Sequence, residues 1–152
     1  MQSTIDLIPV FLRLVENPSD TTNQRKLLSD ADLSTLRKRN LGIPDDYLSF
    51  LAQIGWGSFR ESTYRVYSGF VLVDEILPAI KTDYEILCFG DDFRGDPAAF
   101  IPSQNWKLVE IFHEDYDIHC EEQTFTEFIA ERLFMSMDGH NLSQNQSSEP
   151  AE

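Results

Sequence analysis

Ile8, Phe11, Leu12 and Val15 recur at helical spacing, which predicts a first helix. Asp6 is placed as its cap, and Pro9 then falls in the opening turn, where its missing N–H costs nothing. Asn17-Pro18-Ser19-Asp20 stops this helix, and a polar stretch follows to about Gln24. Ser29 reads as the next N-cap, with Asp32 at the third helical position and Leu28 and Leu33 spaced as a hydrophobic staple. That helix runs to about Asn40 and ends at Leu41-Gly42. Ile43-Pro44-Asp45-Asp46 opens a third, its two carboxylates facing the positive end of the helix dipole. Tyr47, Phe50, Leu51 and Ile54 share one face of it, and Gly55 ends it.

Beyond Trp56, which begins a turn into β structure, the period changes. Tyr64 to Tyr67 alternates loosely, and Gly69 separates it from the apolar run Phe70 to Val73. Asp74 to Leu77 predicts a short helical turn continuing past Pro78. A strand is expected over 84–89, then a turn-rich loop from Gly90-Asp91-Asp92 to Gly95-Asp96-Pro97. Ala98 to Ile101 and Trp106 to Phe112 complete an antiparallel-looking set. Thr124-Phe125-Thr126-Glu127 is a capping box for a closing helix with Phe125, Phe128, Ile129 and Leu133 inward. Helices, then a meander, then a helix make an α+β domain over 1–138. Residues 139–152, almost without hydrophobes after Gly139, are expected to be a disordered polar tail.

Charge sharpens the picture. The 152 residues carry 12 basic and 26 acidic side chains, a formal net charge of −14. Residues 1–60 balance at 7 of each sign, whereas residues 83–122 hold 11 acidic and 2 basic. Such a chain is repelled by phosphate and by anionic lipid, so neither nucleic acid nor a membrane surface is the expected partner. No apolar run approaches the roughly 20 residues of a membrane-spanning helix. The N-terminus lacks a basic leader, and two cysteines do not make a disulfide framework, so a reducing cytoplasm is expected.

Candidate chemistry is sparse. His113, Asp115, His119 and Cys120 are metal-ligand types, but all come from one short stretch, and an acidic solvated loop accounts for them better. Cys88 lies within an apolar run and reads as packing. There is no nucleophile elbow, phosphate loop or dinucleotide fingerprint, and no single acid/base pair stands out among the many carboxylates. Catalysis, a cofactor and a bound metal are therefore not expected. Trp56, Tyr64, Trp106 and Tyr116 sit beside turns, where aromatics can anchor an interface.

The order of motifs adds a resemblance. Leu41-Gly42-Ile43-Pro44-Asp45-Asp46-Tyr47-Leu48-Ser49-Phe50-Leu51 is followed by Gly55-Trp56-Gly57, then by Phe89-Gly90-Asp91-Asp92, Gly95-Asp96 and Ala99-Phe100-Ile101-Pro102. A strand ending at His113-Glu114 and the helix start Thr124-Phe125-Thr126-Glu127-Phe128-Ile129 complete the series. Over roughly residues 28–135 this resembles the SUKH superfamily, which includes bacterial immunity proteins and fungal cell-wall-synthesis regulators. Ile43 stands where that family usually has leucine, and Gly55-Trp56-Gly57 where an asparagine-glycine turn is common.

The resemblance implies a central antiparallel sheet and a function by binding: neutralising a cognate toxin, often a nucleic-acid-directed enzyme. An acidic face suits that role, because a nuclease needs a basic surface to hold phosphate. The expected contacts are Asp91, Asp92, Asp96, Glu114, Asp115, Tyr116, Asp117, Glu121 and Glu122, with Trp56 or Trp106 as anchors, on a chain expected to be monomeric. The alternative is a regulatory interaction scaffold in signalling or envelope synthesis. A third reading, a metal-dependent hydrolase built on the acidic loop and His113, rests on the ligand types alone.

Overall fold

The computed structural model describes residues 3–143. Its elements follow in the order α1 (Thr4–Val15), β1 (Arg25–Lys26), α2 (Asp30–Arg39), α3 (Asp45–Gln53), β2 (Trp56–Phe59), β3 (Tyr64–Leu72) and α4 (Val73–Ile76). Then come β4 (Leu87–Asp91), β5 (Pro97–Ile101), a 3-10 turn (Pro102–Gln104), β6 (Lys107–Phe112), β7 (Asp117–Cys120) and α5 (Phe125–Arg132). The strands form one antiparallel sheet in sequence order, β1 to β7. This is the α+β architecture expected from the pattern of elements.

Each sheet face carries a core. On one, α1, α3 and α5 bury Ile8, Phe11, Tyr47, Phe50, Leu51, Phe125 and Phe128 against Phe59, Tyr64, Val66, Phe89 and Phe100. Tyr47 is the hub of this aromatic cluster, with ring centroids 5.3–6.0 Å from Phe70, Phe89, Phe100 and Phe125. On the other, α4 and the segment after it cover Cys88, Ala99, Ile101, Val109 and Ile111 with Val73, Leu77 and Ile80. Central β4 and β5 are therefore buried along their whole length.

Local signals hold where they are strongest. The Ser29 side chain accepts from the Asp32 amide at 3.2 Å, and Thr124 and Glu127 form the reciprocal capping box. Four expectations need correcting. Helix α1 begins at Thr4, so Asp6 is its third residue and Pro9 lies inside it rather than in the opening turn. The N–H that proline lacks would have bonded the Ile5 carbonyl, and the helix persists because Ile5, Ile8, Phe11 and Leu12 are buried.

Strand β3 runs unbroken through Gly69, its excess residues taken up by a bulge between Val66 and Val71 against β4. Strand β4 is displaced to Leu87–Asp91, because Asp91 is drawn into the sheet opposite Arg65. The α4 turn stops at Ile76, before Pro78.

Two strands have no counterpart in the expected set. β1 lies where a polar stretch and helix lead-in were expected, and it pairs with β2 because Gly57 has φ +134° and no side chain. A Cβ there would stand 2.0 Å from the Gln24 carbonyl oxygen. β7 lies in the stretch read as a solvated loop. After α5 the chain turns back: Asn141 bridges to Met135, and the Leu142 amide donates to the Phe134 carbonyl at 2.7 Å. The expected polar tail thus starts in this hairpin, and its residues 144–152 lie outside the described ones.

Candidate interaction surface

Six acids of the second half, Asp91, Asp92, Asp96, Glu114, Asp115 and Asp117, lie at one end of the sheet, in or beside the β4–β5 loop and the β6–β7 hairpin. Asp92 Oδ1 accepts from the amides of Arg94 (2.8 Å) and Asp96 (3.2 Å), which closes the first. Asp96 Oδ1 then accepts from the His113 amide at 2.9 Å and meets His113 Nδ1 at 2.6 Å, tying the two loops together. The hydrogen bond to Asp96 holds the imidazole above its ordinary pKa, against some desolvation, with the Asp96, Glu114 and Asp92 charges adding to the rise. In the hairpin Tyr116 takes a left-handed conformation (φ +59°), and Asp115 Oδ1 accepts from the Asp117 amide at 3.0 Å. Asp117 pairs with His119 at 2.9 Å, and the His119 ring lies 4.4 Å from that of Phe112.

Glu114, Asp115, Tyr116 and Asp117 are all exposed at the hairpin, Tyr116 by 40%. Glu121 and Glu122 follow β7 at its opposite end. Among the described residues Glu114, Asp115, Glu121 and Glu122 make no ion pair. Free carboxylates therefore stand at both ends of the last strand.

Three expected contacts do not belong to this surface. Asp91 is 5% exposed and fully engaged: it accepts from Arg65 Nη2 (2.8 Å), the Tyr67 hydroxyl (2.6 Å) and the Phe93 amide (2.8 Å). It holds β3 to β4 from within. Trp106 donates from its indole N–H to the Leu41 carbonyl at 3.0 Å and packs on Phe70 and Phe100. Its ring occupies the space above Gly42, where a Cβ would lie 2.8 Å from the indole nitrogen. Trp56 is half-buried on β2, five strands from β7, a separation of about 24 Å at ordinary strand spacing.

A second buried charge went unnoticed in the sequence. Glu110, 7% exposed, pairs with Arg132 of α5 at 2.7 Å. Burial raises the Glu110 pKa, and the bond to Arg132 opposes that rise. A lone glutamate inside the apolar run Leu108-Val109-Glu110-Ile111 was the signal that a cation must meet it.

The potential metal ligands are not brought together: His113 turns to Asp96 and His119 to Asp117. Among the described residues, no group of three or more His, Cys, Asp or Glu side chains is arranged to hold a metal ion. Cys88 is buried, and desolvation first, then the Asp91 charge, pushes its thiol up to about 12, far from a reactive thiolate. Among the described residues no helix is long and apolar enough to cross a membrane. No family model, curated protein or solved structure matches the chain.

Proposed function

We propose that the chain is a cytoplasmic immunity protein of the SUKH type, acting by binding rather than by catalysis. In this reading it neutralises a cognate antibacterial toxin whose active domain is basic, such as a nuclease. The observation that carries the reading is the set of unpaired carboxylates around the last hairpin and strand: Glu114, Asp115, Glu121 and Glu122. Opposite charge on the two partners raises association rates by roughly 10–1,000-fold, and an inhibitor must arrive before the toxin acts.

The test is affinity capture from the native host with the tagged chain as bait, at low and high salt. Recovery of one dominant basic partner, toxic alone and harmless when co-expressed, supports the reading. Several endogenous proteins and no toxin would support the regulatory scaffold instead. With the partner in hand, Asp115→Lys with Asp117→Lys should slow association about tenfold at low salt and leave the fold intact. An unchanged rate would place the interface elsewhere.

A further inference from the structure

The sheet ends at β7, and among the described residues no strand pairs with its outer side. The phase of the ladder identifies the backbone groups left there. The Glu121 amide donates to the Leu108 carbonyl at 3.0 Å, and the register sets His119 opposite Glu110 and Cys120 opposite Val109. In an antiparallel pair, bonded and non-bonded positions alternate. His119 and Glu121 therefore bond inward to β6, whereas the N–H and C=O groups of Ile118 and Cys120 face the free edge. Asp117, His119 and Cys120 are exposed, and nothing among the described residues covers them.

We infer that β7 receives an extended basic segment of the partner as an eighth, antiparallel strand, which rests on the proposal that this chain binds a basic protein. The charges around the edge select that occupant. Asp117 and Glu121 fall on one side of the strand, four residues apart, and Ile118 and Cys120 on the other. A complementary strand carries Lys or Arg at alternate positions, with Val or Ile between them. A second copy of this chain is disfavoured there, because two β7 edges would set like charges against each other. Short edges lined with charge are also how sheets avoid pairing with themselves.

The test uses the intact chain, isotopically labelled, and a capped peptide of alternating lysine and valine. Expected are saturable amide shifts along β7 and slowed hydrogen exchange at Ile118 and Cys120. The same peptide N-methylated on its bonding edge should bind at least about tenfold more weakly, the worth of one or two backbone hydrogen bonds. Cys120→Pro removes an outward N–H while sparing the β6 ladder, and it should lower affinity similarly. The N-methylated peptide needs no change in the protein, so it decides the matter even if that variant folds poorly.

Equal binding of the methylated and unmethylated peptides would overturn strand addition and leave a charge-only contact, with the acidic-surface proposal standing. Binding unaffected by Asp115→Lys with Asp117→Lys would instead remove the acidic surface. No saturable shift at millimolar peptide would overturn strand addition outright.

Discussion

Replacing Asp91 by alanine separates the carboxylates that hold the fold from those free to bind. Asp91 receives the Tyr67 hydroxyl, the Phe93 amide and the Arg65 guanidinium, and it is itself buried. Its removal strands Tyr67, whose hydroxyl is partly buried, and unpins the turn at Phe93, whose backbone is left-handed (φ +66°). Arg65 is about half exposed, so its guanidinium can return to water. One charge-assisted bond with its stranded partner costs about 1.5–3 kcal/mol, and the turn amide adds about 1 kcal/mol.

The expected total is about 2–4 kcal/mol, or roughly 5–15 °C in Tm for a domain of this size. Urea unfolding followed by circular dichroism measures it, alongside Asp115→Ala, which loses the exposed bond to the Asp117 amide and should cost no more than about 1 kcal/mol. A loss below about 1 kcal/mol for Asp91→Ala, or one no larger than that for Asp115→Ala, would refute this division.

Two other outcomes follow from single side chains. Tyr47 is wholly buried among aromatic rings and its hydroxyl has no hydrogen-bond partner among the described residues, while burial drives its pKa upward; Tyr47→Phe should gain about 1 kcal/mol in urea unfolding, and a loss would mean that the hydroxyl is satisfied. His113 has its pKa raised by Asp96 in the folded state, so its contribution is full below about pH 6.5 and fades as pH climbs through the raised value; the parent should lose more stability than His113→Gln between pH 5.5 and 8.5, and parallel losses would remove His113 as the cause.

What was legible in the sequence was local. The Ser29 cap and the Thr124–Glu127 box work within four residues of chain, so they need no tertiary context. The apolar stripes of α1 and α3 were legible for the same reason. β1 was not, because a two-residue strand exists only where Gly57 lets the Gln24 backbone approach. The end of β4 was also hidden, since Gly90-Asp91 has turn composition and it is partners across the sheet, Arg65 and Tyr67, that keep it extended. The candidate surface divided along the same line. Glu114, Asp115 and Tyr116 are exposed because a tight hairpin leaves them no neighbours, which a turn signal conveys. The burial of Asp91 and the packing of Trp106 on Gly42 depend on partners 26 and 64 residues distant.

The pairing of acids argues that the charge surplus is organised rather than spread for solubility alone. Within residues 83–122, Asp91, Asp96, Glu110 and Asp117 meet Arg65, His113, Arg132 and His119 respectively. The first three of these pairs each join separate elements: two strands, two loops, and a strand to a helix. Of the remaining acids in this stretch, Asp92 closes the β4–β5 loop through backbone amides and Asp83 and Glu85 precede β4, while Glu114, Asp115, Glu121 and Glu122 are left without an ion pair around an edge strand. On the proposed function, stability and recognition reside on different side chains. The unpaired acids, and Asp117 whose exposed pair lies within β7, can be reversed in charge without unfolding the domain. Reversal of Asp91 or Glu110 instead sets two cations together at a buried position and should be strongly destabilising. Charge beside an open edge also keeps sheets from pairing with themselves, but that alone asks for no particular sign. A surface that receives a basic strand, as proposed, needs carboxylates free of ion pairs at that edge.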